Sequence, residues 1–266
     1  MKRAKKRMTL LAQAWASWLG AIIFYTCLPL PQHWHMEFRW IARWAPWVGA
    51  LIGLILGLSD GWLGLGGMPL LVRSALIVAM GLLLTGGLHA DGVADSADGL
   101  AVPDASGQET HRRLEVMADS RMGAFGGMAV VVLILLKVLA LGAIEDYRLF
   151  VLVGVSMWGR WAQQWAIARY PYLKKDGKGA FHKAALPTLG HTVPCLLGLL
   201  GIQTLWIALG WISLPLGSLM IAGGVVLSLL TSAYFNWQLG GHTGDTYGAV
   251  VEWTEALLLC ALTIRP

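Results

Sequence analysis

Three carboxylates carry the strongest chemical signal in this chain. In Gly86-Gly87-Leu88-His89-Ala90-Asp91-Gly92-Val93-Ala94-Asp95-Ser96-Ala97-Asp98-Gly99, the acids Asp91, Asp95 and Asp98 stand at i, i+4 and i+7. On a helix those positions share one face. Three carboxylates on one stripe repel each other, and a divalent cation between them relieves that most simply. Hard oxygen ligands favour Mg²⁺, typically held by a few carboxylates together with phosphate oxygens of a substrate. A solvated acidic loop is the plainer alternative. Against it, the acids fall at the very end of an apolar stretch.

Two more acidic pieces follow. Met117-Ala118-Asp119-Ser120-Arg121-Met122-Gly123 stands just before an apolar block and supplies another metal ligand, Asp119, and a phosphate clamp, Arg121. A surface ion pair between the two is the bland reading. In Gly240-Gly241-His242-Thr243-Gly244-Asp245-Thr246-Tyr247-Gly248, Asp245 lies seven residues before Glu252, with Glu255 three further on. These too share a helix face, inside an apolar segment where carboxylates are rarely accidental. Arg73, Lys137 and Arg160 are isolated cations in apolar blocks. Unpaired burial is costly, so Lys137 and Arg160 are expected to face the interior and meet acids or phosphates. Arg73 either snorkels or braces a helix.

Carboxylates, Mg²⁺ and inward cations suit a phosphorylated substrate, with the cations stabilising charge on the phosphorus under attack. No G-x-x-x-x-G-K-[ST] loop occurs, which argues against an ATP-driven pump. A transferase that breaks the diphosphate of an activated substrate fits best.

The elements that must position these groups are set by composition. Of 266 residues, 56% are hydrophobic and only 13% charged, about half the charged share of an ordinary soluble domain. Apolar blocks run at about 9–30, 46–66, 68–88, 122–144, 149–168, 187–211, 212–234 and 247–264. The fold class is therefore all-α: a polytopic membrane bundle of about six spanning helices, read as one domain over 1–266. The net charge of +5 is no nucleic-acid signature, because Lys2, Arg3, Lys5, Lys6 and Arg7 cluster at the N-terminus, where they act as a cytoplasmic retention signal beside the lipid bilayer. Residues 89–121 hold seven of the fifteen acids, and 169–183 hold Arg169, Lys174, Lys175, Lys178 and Lys183 against Asp176. If block 9–30 spanned, both loops would lie outside, against the positive-inside rule. Residues 1–45 are therefore read as a basic N-terminus plus a non-spanning interfacial or re-entrant element containing Trp15 and Trp18, which puts the 86–127 acidic region in the cytoplasm. Cys27, Cys195 and Cys260 have neither disulfide nor zinc spacing and are expected to be buried, inert thiols. None of the 14 Trp residues is assigned to substrate.

The string G-G-x-H-x-D-G-x-A-D-x-x-D-G at 86–99 resembles the signature of the cobalamin synthase (adenosylcobinamide-GDP ribazoletransferase) family. So do D-S-R-x-G-x-x-G-G at 119–127, G-G-x-T-G-D-x-x-G-A at 240–249, Lys137 and the Gly159-Arg160 pair, in the same order over most of the chain. The resemblance implies a bacterial inner-membrane enzyme that transfers the adenosylcobinamide phosphate group from adenosylcobinamide-GDP to α-ribazole or its 5′-phosphate. GMP is released and Mg²⁺ is required. On that reading Asp91, Asp95, Asp98 and Asp119 hold metal on the diphosphate, while Arg121, Lys137 and Arg160 clamp phosphate oxygens. Asp98, Asp245 or His89 takes the acceptor proton, with a structural hydrogen bond the alternative for His89. Homo-oligomerisation and association with other cobalamin-assembly enzymes stay open. A CDP-alcohol phosphotransferase shares Asp-x-x-Asp-Gly, here Asp95 to Gly99, but its following Ala-Arg and later Asp-x-x-x-Asp are missing. A cation-coupled transporter would place its acids near the midplane, not at one end of the spans.

Overall fold

The computed structural model describes residues 9–103, 109–174 and 179–264. The basic N-terminal cluster, Asp104, Lys175, Asp176 and Lys178 lie outside the described residues. Among the described residues eleven α-helices follow one another: α1 Leu10–Tyr25, α2 Ala45–Leu65, α3 Leu70–Leu84, α4 Leu88–Leu100, α5 Glu109–Val116, α6 Ala124–Ala143, α7 Arg148–Arg169, α8 Ala180–Ala185, α9 Val193–Ala208, α10 Leu214–Leu239 and α11 Gly244–Leu262. Among the described residues the extended pairing is limited to one isolated bridge, Tyr172 with His242.

The bundle is built around α7, whose 22 residues are almost all buried. α2 packs along it through Gly49, Gly53 and Gly57, spaced four apart on one face. A Cβ at Gly49 would lie 2.4 Å from Ser156 O, and one at Gly53 would lie 2.5 Å from Leu152 O. Small residues on such a stripe let two helices meet backbone to backbone, the usual solution where lipid removes the hydrophobic drive between helices. α11 covers another side of α7, with Gly159 against Val251 and Glu255.

Among the described residues four helical stretches are long and apolar enough to cross a membrane: Ile41–Leu65, Ala124–Ala143, Leu189–Ala208 and Leu214–Leu239. The pair α3 and α4, bent by 89°, makes a fifth if counted as one span. The expected figure is about six, and α7 and α11 are two further helices of spanning length that fail on composition. These have the length, 22 and 19 residues, but carry ionic and amide side chains that a lipid-facing helix would not tolerate. Enclosure by neighbours removes that constraint.

The bend between α3 and α4 comes from Gly86 and Gly87, at φ 60° and 70°. L side chains pay a steric penalty there, and glycine does not. The turn ends the block expected at 68–88 four residues early, with Leu84 the last residue of α3, and starts the acidic helix in a new direction.

α1 has only 16 residues. It packs on the turn at Ile41–Trp44 and on α2, and its C-terminal end meets the junction of α3 and α4: Cys27 N donates to Leu84 O at 2.7 Å, and the Tyr25 ring faces His89. Ala16 O accepts from Glu37 N at 3.0 Å. At 16 residues α1 is shorter than the roughly 20 that a membrane span needs. The thiols are all free, but of the three expected to be buried only Cys195 is: Cys260 is half-buried, and Cys27 is exposed because it sits past the end of α1 beside the Gly86 turn.

Candidate active site

Asp91, Asp95 and Asp98 do lie on one helix, α4. Facing them is the first turn of α11, where Thr243 caps the helix in a reciprocal pair with Thr246 and presents Asp245. The two helices touch through backbone: a Cβ on Gly92 would come within 2.3 Å of Asp245 O. Asp91, Asp98 and Asp245 all act electrostatically on Asp95, and Lys174 opposes them. Four acids from two motifs thus form one face.

Each acid has a distinct environment. Asp91 is exposed, whereas Asp95, Asp98 and Asp245 are half-buried. Asp98 accepts from Gly123 N at 2.7 Å and from Gly126 N at 2.8 Å. Its carboxylate thereby caps the N-terminus of α6, where unpaired amides and the helix dipole favour a negative charge. Asp245 accepts from Lys174 Nζ at 3.0 Å and from the Thr243 hydroxyl at 3.2 Å. Asp119 and Arg121 pair with each other in the exposed loop before α6, with an Nη2 to Oδ2 distance of 2.7 Å. That guanidinium holds the Asp119 carboxyl down at about 2. Through Gly123, Asp98 ties this loop to the acidic face.

Lys137 and Arg160 are not on that face. Lys137 Nζ lies 2.5 Å from Glu252 and 2.8 Å from Glu255, and Arg160 Nη1 donates to the other oxygen of Glu255 at 2.7 Å. This network lines a small cavity of about 60 Å³ among α2, α3, α6, α7 and α11. His89 belongs with it. Two residues before Asp91, it points to the opposite side of α4, is 1% exposed, and feels the charges of Arg160, Glu255 and Lys137. Neither ring nitrogen has a hydrogen-bond partner among the described residues. The residues named from sequence thus divide into an open acidic face and a closed ionic core.

A third cluster was missed. Asp60 receives two bonds from Arg148, at 2.7 and 2.8 Å, and lies 3.0 Å from Arg73 Nε. Arg148 also donates to Ser74 and to the carbonyls of Leu141 and Ile144. Arg73 therefore braces helices and does not snorkel. A lone acid inside the apolar block 46–66 was the available clue. Lys174 gave none, since the chain separates it from Asp245 by 71 residues.

Among the described residues no three His, Cys, Asp or Glu side chains converge closely enough to hold a metal ion alone. Mg²⁺ often takes only one or two carboxylates and fills its shell with water and substrate phosphate. Mutually repelling acids with a single ammonium among them suit that mode. Beside Asp91 an open, largely apolar groove of about 700 Å³ runs between Phe24, Cys27, Gly86, Met122 and Val130.

Comparison with known proteins bears on this arrangement directly. The model of the family described as cobalamin-5-phosphate synthase matches residues 17–263, taking in α4, the 119–127 loop and α11. The chain belongs to the cobalamin-5-phosphate synthase family. It is 52% identical to an adenosylcobinamide-GDP ribazoletransferase of Trichormus variabilis over 92% of this chain and 96% of that one. It is 51% identical to the protein of that name from Thermosynechococcus vestitus over 94% and 97% of the two chains. For the one from Synechococcus elongatus the figures are 46%, 96% and 99%. No solved structure matches this member of the cobalamin-5-phosphate synthase family.

Proposed function

We propose that this chain transfers the adenosylcobinamide phosphate group from adenosylcobinamide-GDP to a ribose hydroxyl of α-ribazole or α-ribazole 5′-phosphate. A P–O bond forms to the acceptor oxygen as the bond to the GMP phosphate breaks, and GMP leaves with the electron pair. The observation that carries this reading is the joining of α4 and α11 acids into one open face, in a chain so similar to proteins named for that reaction.

Of the four acids expected as ligands, Asp98 is held by two α6 amides and Asp119 by Arg121, so Asp91 and Asp95 are the residues that would hold Mg²⁺, with water and substrate phosphate completing its shell, and the ion would offset the charge of the donor diphosphate. Arg121, exposed and joined to the acidic face through Gly123, is placed to meet a phosphate oxygen once it leaves Asp119. Of the three groups considered for taking the acceptor proton, His89 lies behind the acidic stripe and Asp98 holds two backbone amides. Asp245 remains, half-exposed on the face. In the 5′-phosphate acceptor the 5′ oxygen is already esterified, so the attacking group is again a ribose hydroxyl and its proton also has to be taken. The groove beside Asp91 offers room for a bulky substrate.

A bacterial inner-membrane location with the face toward the cytoplasm is supported by charge. Lys174 of the cationic loop sits on the acidic face, so that loop and the catalytic end share one side, as the positive-inside rule asks of a cytoplasmic side. The test is GMP release by purified protein from adenosylcobinamide-GDP and α-ribazole, with Mg²⁺ and with EDTA. Release that is abolished by EDTA supports the reading. CMP release from a CDP-alcohol instead would replace it with the related phosphotransferase chemistry.

A further inference from the structure

We propose that Lys174 is a substrate-binding residue of this site: it pairs with Asp245 and turns from it to a diphosphate oxygen of the nucleotide-activated donor. The proposal rests on the transferase reading above. A diphosphate approaching four carboxylates is repelled unless cations meet it. Arg121 is more exposed than Lys174, its side chain at 88%, but is tied to its carboxylate neighbour Asp119 by three contacts at 2.7–3.2 Å, against one for Lys174. Lys137 and Arg160 are enclosed with Glu252 and Glu255, their side chains 12% and 3% exposed, so moving either one leaves a buried charge unpaired. The Lys174–Asp245 pair is different. It is a single contact at 3.0 Å between side chains 30% and 27% exposed, in water's reach and easily exchanged.

Its placement is built by backbone. Leu173 N donates to His242 O at 2.8 Å, and His242 N donates to Pro171 O at 2.9 Å. These two bonds clamp 171–173 alongside 241–243, immediately before the α11 cap. Gly241 permits the approach, since a Cβ there would lie 2.7 Å from Pro171 O. The Tyr172 ring stacks on Tyr247 of α11. The Gly-Gly-His-Thr-Gly-Asp motif therefore presents Asp245 and also fixes the Cα of a lysine far away in sequence. Only the flexible side chain is left free to choose between Asp245 and a ligand.

One ammonium beside Asp245 competes with any divalent cation for the same face. Mn²⁺ binding to substrate-free protein in detergent, followed by electron paramagnetic resonance, gives the first readout. Lys174→Met should tighten Mn²⁺ about threefold or more, whereas Lys174→Arg should match the parent. The second readout is kinetic: Lys174→Met should raise KM for adenosylcobinamide-GDP about tenfold and leave KM for α-ribazole unchanged. Lys174→Gln guards against a folding defect peculiar to Met. Parent-like Mn²⁺ affinity and parent-like donor KM in both neutral variants would overturn the role of Lys174. If the parent itself releases no GMP, the transferase reading fails, while the Mn²⁺ comparison still decides whether Lys174 occupies a cation's place.

Discussion

Asp98 and Gly123 are 25 residues apart in sequence, yet the carboxylate of one accepts the amide hydrogen of the other at 2.7 Å. With the second bond from Gly126, this makes Asp98 the link between the acidic helix and the loop that carries Asp119 and Arg121. Asp98 is on the acidic stripe but acts structurally as the cap of α6.

Asp95 and Asp98 should consequently separate in mutation. Asp95→Asn is expected to abolish GMP release without lowering the thermal midpoint, since it loses no hydrogen bond among the described residues and relieves repulsion from the neighbouring acids. Asp98→Ala is expected to lower both, with a stability loss of about 0.5–2 kcal/mol, as for other helix caps. Thermal unfolding in detergent beside a GMP assay reads the two. Equal midpoints for Asp98→Ala and the parent would contradict the capping role.

Glu255 is bonded to both Lys137 and Arg160, whereas Glu252 is bonded to Lys137. Glu255→Gln leaves two buried cations with one carboxylate, and breaking such a network by one partner costs about 3–5 kcal/mol. Glu252→Gln should cost less, because Lys137 retains Glu255. Denaturant midpoints for the two variants provide the comparison, and the reverse ranking would show that the network is wrongly drawn.

The Asp60–Arg148 cluster joins α2, α3 and the end of α6 through Leu141 and Ile144, at the opposite end of α6 from the Asp98 cap. Arg148→Met should therefore destabilise by about 3–5 kcal/mol. Turnover per folded molecule should stay within about twofold of the parent. A selective loss of turnover with full stability would place this cluster in the reaction instead of the scaffold.

Gly86 and Gly87 make different demands on the same turn. Gly87→Ala meets open space and should cost only the left-handed penalty, about 1–2 kcal/mol. Gly86→Ala adds a clash, because its Cβ would lie 2.8 Å from Cys27 Sγ. Removing that sulfur in Gly86→Ala/Cys27→Ala should recover the steric part and leave the strain. Measured midpoints for the three variants test the additivity directly.

Topology can be checked independently. Reporter fusions after residue 35 and after residue 105 should both read cytoplasmic if α1 stays at one end of the bundle. A split result would mean that α1 crosses the membrane.

The amino-acid order alone was enough for an all-helical membrane bundle, since long apolar blocks have no other way to satisfy their backbone in lipid. It was enough as well for the acidic face, because i, i+4, i+7 spacing is a property of one helix, and for an inward orientation of Lys137 and Arg160. Pairing across helices is a different kind of fact. That Glu255 holds Lys137 and Arg160, that His89 turns toward them, and that Asp98 caps α6 depend on which helix faces meet. Glycine stripes and the 89° bend decide that only when the chain is assembled. Lys174 shows the limit most clearly: in sequence it is one cation in a basic loop, and two backbone hydrogen bonds bring it to the acids. Local spacing records what one helix presents, while the partner it presents to is set by contacts between distant segments, which leave no periodic trace.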